Sequence, residues 1–387
     1  MTEKVDGEVY RKAVEAAMER YPYLCVKPEI IDGTSYLVPN ERPFVVTDDG
    51  EYTPLGEEAS NYHLITFTYL DDEIRINYDH ALLDGRGGLD PLYSVLYYYC
   101  KFKYDDNINC PGVKTMEVPI AADEYESPYV KEFPDPEIAD VCLPQSWYKV
   151  PESGTGERGI CRIYTVLADQ ESFMSVCRSG DSSPASLATL LLLKAIDKVH
   201  PEHEEHIACI MPADYRAAID LPGTHQNAYA MFPLLYHNKM KNMPLSSQLT
   251  AMRGQIISQA DPDQLIKKFK ADQKLCRQAL ALETLEEKRA LYGNGIQMSV
   301  TYPILSYIGQ CDFGDVKKYV KSMCLFHSGY DSILLEMIAW GNSFCLAFSF
   351  GFEGTEYLDA YLSLLDELGI KYERGREYRY HLPVRNY

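Results

Sequence analysis

A proline-rich stretch without apolar periodicity, from about residue 103 to 159, divides the chain and most constrains its fold. Its prolines lie at positions 111, 119, 128, 134, 136, 144 and 151, and proline disfavours helix interiors and central strands. Segments with strand-like and helix-like apolar spacing lie on both sides of it. We therefore predict an α/β (α+β) protein of two units, residues 1–158 and 159–387, with about 104–158 as a crossover linker.

The apolar spacing also predicts the individual elements. In the first unit it predicts helices over 7–20 and from Leu89 through Tyr99, strands near 36–38 and 44–47, and a hairpin of 63–69 and 73–78. In the second unit it predicts strands near 160–167, 206–211, 298–302, 334–339 and 343–350, and helices near 183–199, 246–259, 262–291 and 355–368. Both units therefore mix sheets with helices.

Charge excludes one class of partner. The 387 residues include 57 Asp and Glu against 37 Lys and Arg, which gives a formal net charge of −20, and the pI is about 4.9. Proteins that bind nucleic acid need a basic face that displaces counterions from the phosphates. We therefore expect no nucleic-acid partner.

Cysteine usage and hydropathy predict the compartment. The eleven cysteines are odd in number and include no Cys-x-x-Cys pair, which is typical of reduced intracellular proteins rather than disulfide frameworks or zinc ribbons. The N-terminal segment is charged and amphipathic, unlike a secretory signal. The longest apolar run, around Leu187 to Leu193, is too short to cross a bilayer. We expect a cytoplasmic protein without a membrane span.

The most informative segment runs from Tyr78 to Gly85 and contains His80-x-x-x-Asp84-Gly85 at the end of a predicted strand. A histidine at a strand exit, followed by an Asp-Gly turn and a helix, lies at the edge of the core. There it can face a cleft and exchange a proton near neutral pH. The alternative interpretation is a loop histidine that is satisfied locally, with Asp84-Gly85 as an ordinary turn.

The segment resembles the active-site motif of the chloramphenicol acetyltransferase-like superfamily. This superfamily includes alcohol acetyltransferases, plant acyl-CoA-dependent acyltransferases and condensation domains of nonribosomal peptide synthetases. Further segments resemble the family in the same order: the first helix and its exit (5–24), the Asp-x-Arg strand end (211–216), Asn227, and 305–309, where Tyr307 replaces the usual Asn of "SNIG". The resemblance therefore covers nearly the whole chain.

Two departures from the family pattern affect this resemblance. Family members usually begin with a strand before the first helix. We expect this strand to be missing, short or cut away here. Condensation domains commonly carry a second His where this chain has Asp79. This difference favours the free-standing, alcohol acetyltransferase-like branch.

The resemblance implies two similar subdomains, each a mixed sheet flanked by helices, with an active-site tunnel between them that reaches His80 from both sides. It implies transfer of an acyl group from a thioester to a hydroxyl or amine, with His80 as general base. Asp84 would support the motif structurally through an ion pair with Arg216. Gly85 would permit a tight turn and close approach of the donor arm.

Three further residues are candidate contacts of the substrate or the oxyanion: Ser306, Asn227 and Tyr307. Ser306 and Asn227 are as readily explained as structural hydrogen-bonding residues.

The resemblance implies acyl-CoA as a co-substrate, a small-molecule acceptor, no permanently bound cofactor and no metal. One lysine group would then receive the phosphates of coenzyme A, although solvated helix faces also explain these lysines. The candidate lysines are 239, 241, 267, 268, 270, 317, 318 and 321. Two alternatives stay open: a non-catalytic binding or scaffold member of the fold, and a condensation-like enzyme with an acyl carrier protein as donor. Carrier proteins are usually acidic, which makes them less suited to an acidic chain.

Two other patterns are better explained as turns. The Gly-x-Gly-x-x-Gly string at 154–159 precedes a predicted strand, whereas dinucleotide binding needs a strand before it and a helix after it. His200, His203 and His206 surround a helix exit among glutamates, which favours a solvated turn over a metal site.

Overall fold

The computed structural model describes residues 1–32, 34–104, 107–130, 147–151, 160–288, 290–291, 302–328 and 332–381. Its helices are α1 (Gly7–Met18), α2 (Leu89–Lys103), α3 (Gln170–Ser179), α4 (Pro184–Val199), α5 (Leu245–Gln259), α6 (Pro262–Leu280) and α7 (Glu356–Glu367). Its strands are β1 (Val26–Ile31), β2 (Thr34–Pro39), β3 (Val46–Thr47), β4 (Ile65–Leu70), β5 (Glu73–Tyr78), β6 (Ile160–Asp169), β7 (Ile207–Asp214), β8 (Tyr229–Tyr236), β9 (Ile304–Cys311), β10 (Ile333–Trp340), β11 (Ser343–Phe350) and β12 (Tyr372–His381).

The strands form one large sheet and two small ones. The seven-stranded sheet has the order β12-β6-β11-β10-β9-β7-β8, and the small sheets are β1-β2 and β3-β4-β5. In the large sheet β9 runs parallel to both β10 and β7, and the other pairs are antiparallel. In the small sheet of the motif, β3 and β4 are parallel and β4 and β5 antiparallel. Both parts of the chain therefore contain mixed or antiparallel sheets with helices, as predicted.

Helices α3, α4, α5 and α7 cover one face of the large sheet. Their buried side chains and those of the sheet form the largest hydrophobic cluster, in which α4 contributes the whole run from Leu187 to Leu193. The longest apolar run of the sequence is thus a core helix, which begins at a Ser183 cap and Pro184. No helix in the described ranges is both long and apolar enough to cross a membrane.

The opposite face of the large sheet packs against the N-terminal elements. One hydrophobic cluster combines buried residues of α1 and α2, such as Tyr10 and Val95, with Ile338 and Trp340 of β10 and Cys345 of β11. Polar contacts add to this interface at the edge of the sheet. Arg376 on β12 forms ion pairs with Asp72 and Glu73, and Arg75 donates to the Tyr380 hydroxyl at 3.0 Å. The two parts of the chain therefore share a core.

Most predicted elements are present, with three differences. The predicted helix over 262–291 is interrupted after Leu280, because Thr284 and Glu287 form a capping box that starts a new helical turn. The described strand near the predicted one at 298–302 is β9, which begins at Ile304; residues 298–301 lie outside the described residues. The sequence patterns also did not predict β1, β8, β12 and α3. The boundary at residue 158 stays a prediction, since 152–159 lie outside the described residues as well.

Candidate active site

His80 lies two residues after the end of β5, in the connection that leads to α2. Asp79 accepts a hydrogen bond from the Ala81 backbone N–H at 2.9 Å, and its carbonyl accepts one from Leu82 at 2.9 Å. Leu82 and Leu83 are buried in the N-terminal core. The turn is therefore anchored on both sides of the half-buried His80 side chain.

The contacts of His80 come from the C-terminal part of the chain. Its ring lies 5.9 Å from the ring of Tyr229, the first residue of β8, and 5.6 Å from the ring of His327, which precedes β10. The Asn227 side-chain amide donates to the His80 backbone carbonyl at 2.8 Å. His80 therefore lies where the two parts of the chain meet.

Asn227 acts on the backbone of His80. Its nitrogen is bonded to that carbonyl, while its Oδ1 atom is buried without a hydrogen-bond partner among the described residues. A contact of Asn227 with substrate stays a prediction. The geometry fits the structural hydrogen-bonding role that the sequence left open, since this bond holds the loop that carries His80.

The expected ion pair between Asp84 and Arg216 is present and buried. The Arg216 guanidinium lies 2.8 Å from both Asp84 carboxylate oxygens. Asp84 also accepts from the backbone N–H groups of Gly87 at 2.7 Å and Ala228 at 3.1 Å. Both oxygens are thus occupied by these partners, which fits the predicted supporting role of Asp84.

Arg216 is itself fixed by backbone carbonyls. It donates to Thr224 at 2.8 Å and to Gln226 at 2.9 Å, and it lies 3.3 Å from the Asp214 carboxylate. These bonds hold the connection between β7 and β8 in place, and this connection also carries Asn227. The one ion pair therefore links the His80 loop to the strand connection that faces it.

Two glycines of this loop pack closely against neighbouring residues. A Cβ on Gly85 would lie 2.8 Å from the Ile308 side chain on β9, and one on Gly87 would lie 2.1 Å from the His225 carbonyl oxygen. Neither residue has a positive φ. The tight turn expected from Gly85 thus depends on close packing against β9 rather than on left-handed backbone, and Gly87 is the more constrained of the two.

Ser306 and Tyr307 lie on opposite faces of β9, since neighbours in a strand alternate. Tyr307 packs against the helix-covered core, 6.2 Å from the ring of Phe344. We therefore remove Tyr307 from the candidate site. Ser306 lies on the face turned toward the His80 loop, as does Ile308, the residue that packs against Gly85.

Glu336 is a site residue that the sequence reading missed. It pairs in register with Ser306 across β9 and β10 and is 9% exposed. Burial raises the pKa of Glu336 to about 7, although a hydrogen bond with Ser306 lowers it. Burial raises the pKa of Tyr78, and the charge of Glu336 raises it further. Burial, followed by Asp84, raises the pKa of Tyr229 to about 12, and Glu336 makes the smallest of the contributions.

The histidines at 200 and 203 have separate partners. His203 bonds to Asp197 at 2.9 Å and to the Glu205 carbonyl at 2.7 Å, and His200 bonds to the Tyr357 hydroxyl. Across the residues that the structure describes, no group of His, Cys, Asp and Glu is placed to hold a metal. The glycine string at 154–159 lies outside the described residues, and β6 begins directly after it at Ile160.

The solved structures that resemble this chain share its fold at low sequence identity. The epimerization domain from the third module of tyrocidine synthetase B superposes with a TM-score of 0.60, over 95% of this chain and 89% of that chain, at 11% identity. TRI101 of F. sporotrichioides, complexed with coenzyme A and T-2, gives a TM-score of 0.59 over 96% and 94%, at 10% identity. The chain has the fold of the chloramphenicol acetyltransferase-like superfamily.

A third structure with this superfamily fold is polyketide synthase associated protein 5 from Mycobacterium tuberculosis. Its TM-score is 0.58, over 94% of this chain and 91% of that chain, at 13% identity. No protein-family model and no curated protein sequence matches the chain. The fold expected from the sequence resemblance is confirmed, whereas the roles of the motif residues stay predictions.

We expect Asp84→Asn to lower the free energy of unfolding by about 3 kcal/mol, because it leaves the buried Arg216 guanidinium without its main counter-charge. Urea denaturation measures this change. Asp71→Asn is the control, because Asp71 is exposed and pairs only with the exposed Lys4 among the described residues. Equal stability of the two variants would contradict a supporting role for Asp84.

The raised pKa of Glu336 predicts that wild type and Glu336→Gln differ in stability by an amount that depends on pH. The pKa of about 7 in the folded state exceeds the usual value of about 4.3, so ionisation of Glu336 destabilises the fold as pH rises through this interval. We expect Glu336→Gln, which cannot ionise, to gain about 2–4 kcal/mol relative to wild type between pH 4 and pH 8. Chemical denaturation at several pH values tests this expectation.

The matched control for this measurement is Glu171→Gln on α3, whose carboxylate is 83% exposed. Its stability difference from wild type should stay constant over the same pH range. A constant difference for Glu336→Gln as well would show that the Glu336 carboxyl is solvated or paired.

Proposed function

We propose that this protein transfers an acyl group from acyl-CoA to a hydroxyl or amine of a small acceptor, with His80 as general base. The observation that carries the proposal is the position of His80. Its side chain stands between the two parts of the chain, against Tyr229 and His327, while Asn227 fixes its backbone. Asp84 is engaged elsewhere, which leaves the imidazole as the proton-transfer group of the motif.

The reaction needs one base and no covalent acyl-enzyme. His80 takes the proton from the acceptor as the acceptor oxygen or nitrogen attacks the thioester carbonyl carbon. The tetrahedral intermediate then collapses, the carbon–sulfur bond breaks, and His80 returns the proton to the leaving thiolate. Such proton transfer contributes about 10²- to 10⁴-fold in rate.

The comparisons support coenzyme A as the donor. Two of the structures with this fold are TRI101 proteins complexed with coenzyme A and T-2 mycotoxin, from F. graminearum and F. sporotrichioides. A donor carried by an acyl carrier protein is the second candidate. It is favoured by likeness to the epimerization domain and to the condensation domain of the enacyloxin polyketide synthase. Assays with both donor types on the same acceptor distinguish them.

The lysines of α6 are the best candidates to receive the phosphates of coenzyme A. Leu265 and Phe269 of this helix pack against Ala228 and Ala230, next to Tyr229. We therefore assign donor binding to the α6 side of the site.

His80→Ala should abolish release of free thiol from acetyl-CoA and longer acyl-CoA donors in the presence of alcohols or amines, while the protein stays folded. His237→Ala, at the far end of β8, is the matched control and should keep full activity. Thiol release is followed with a chromogenic disulfide, and folding by circular dichroism. Undiminished turnover in folded His80→Ala would exclude the proposed mechanism, and inactive wild-type protein would favour the scaffold alternative.

The double change Lys267→Ala and Lys270→Ala should raise the KM for acetyl-CoA about tenfold at low salt and leave kcat unchanged, because phosphate contacts contribute to binding and are screened by salt. The same variant should use S-acetyl-pantetheine, which lacks the nucleotide phosphates, as well as wild type does. Lys317→Ala is the control. A KM that is unchanged, or raised equally for both donors, would remove α6 from donor binding.

A further inference from the structure

Glu336 is a buried carboxyl group that has no role in the proposed general-base mechanism. It lies on β10 between Leu335 and Met337, which both belong to the helix-covered core. Alternation therefore turns Glu336 to the other face, the face on which Ile338 meets the N-terminal elements. Its register partner Ser306 lies on this face too.

A carboxyl group in such a position is costly unless a partner satisfies it. The Glu336 Oε2 atom is buried without a hydrogen-bond partner in the part of the chain that the structure describes. The same described residues contain no ion pair that involves Glu336. The protein thus leaves an unsatisfied acceptor atom on the face that it turns toward the His80 loop.

The surroundings of Glu336 suit a cation. The Ser306 hydroxyl lies beside Glu336 across the strand pair, and the Tyr229 ring lies 5.9 Å from the His80 ring. An ammonium group near a carboxylate and aromatic rings gains both ion pairing and cation–π attraction. The net charge of −20 further favours the approach of cations.

We propose that Glu336 binds an ammonium group of the acceptor, so that the site prefers acceptors with a positively charged amine in addition to the hydroxyl or amine that is acylated. This inference rests on the proposed function, since it names the acceptor class of the same site. The ammonium donates to Oε2 of Glu336. The reacting group of the same molecule lies at His80, where its proton is removed.

Two probes of equal length test the preference: 5-aminopentan-1-ol, which carries an ammonium, and pentane-1,5-diol, which is neutral. Isothermal titration calorimetry measures binding of each to wild type, Glu336→Gln, His80→Ala and the control Glu171→Gln. We expect wild type, His80→Ala and Glu171→Gln to bind the aminoalcohol about tenfold or more tightly than the diol. In Glu336→Gln the two affinities should become similar.

Acyl transfer from acetyl-CoA to the same probes separates this inference from the proposed function. A binding preference that depends on Glu336, without thiol release in wild type, would support the inference and overturn the enzymatic proposal. Equal binding of the probes, binding of neither, or a preference that survives in Glu336→Gln would overturn the inference. So would an effect of Glu336→Gln confined to the KM for acetyl-CoA, because that result assigns the carboxyl to the donor.

Discussion

The buried pair of Asp84 and Arg216 is the interaction on which the candidate site depends. Each member is held by further hydrogen bonds to backbone, those of Asp84 to Gly87 and Ala228 and those of Arg216 to Thr224 and Gln226. A buried ion pair is often no more stabilising than apolar side chains of the same volume. Here the pair fixes a relative position, because it joins the His80 loop to the connection that carries Asn227 and leads into β8 at Tyr229.

The alternation of side chains along β9 and β10 decides which other residues can take part. Leu305, Tyr307, Leu335 and Met337 belong to the core under the helices or pack against it. Ser306 and Glu336 project to the other side, where the N-terminal part of the chain lies. One strand register thus places a hydroxyl and a carboxyl together on the face that meets the N-terminal part of the chain.

The sequence predicted elements whose patterns are local. The 3.6-residue spacing in α1 and the Ser183-Pro184 start of α4 identified those helices, and the alternation in β4 and β5 identified the hairpin before His80. Strand β8 was missed because Pro233 interrupts its apolar pattern, and β12 because its sequence is mostly polar and charged. Each of these two strands lies at an edge of the sheet, where proline and charge are tolerated.

The site was predictable only as far as its motif. The pairing of Asp84 with Arg216 followed from a family resemblance, because no periodicity connects residues that are 132 positions apart. Glu336 could have been noticed as the single charge within an apolar strand, ILLEMIAW. The register partner of Glu336 and the sheet face on which its side chain lies depend on the pairing of β10 with β9. This pairing cannot be predicted from a single sequence.

The hydrophobic cluster shared by α1, α2 and the second face of the large sheet also limits how the molecule can move. Separating the two parts of the chain as rigid bodies would expose the side chains around Tyr10, Val95 and Trp340 to water, at about 25 cal/mol for each Å² of apolar surface. A clamshell motion is therefore opposed by the same contacts that hold the fold together. Any opening around the half-buried His80 therefore involves side chains and loops rather than separation of the two parts of the chain.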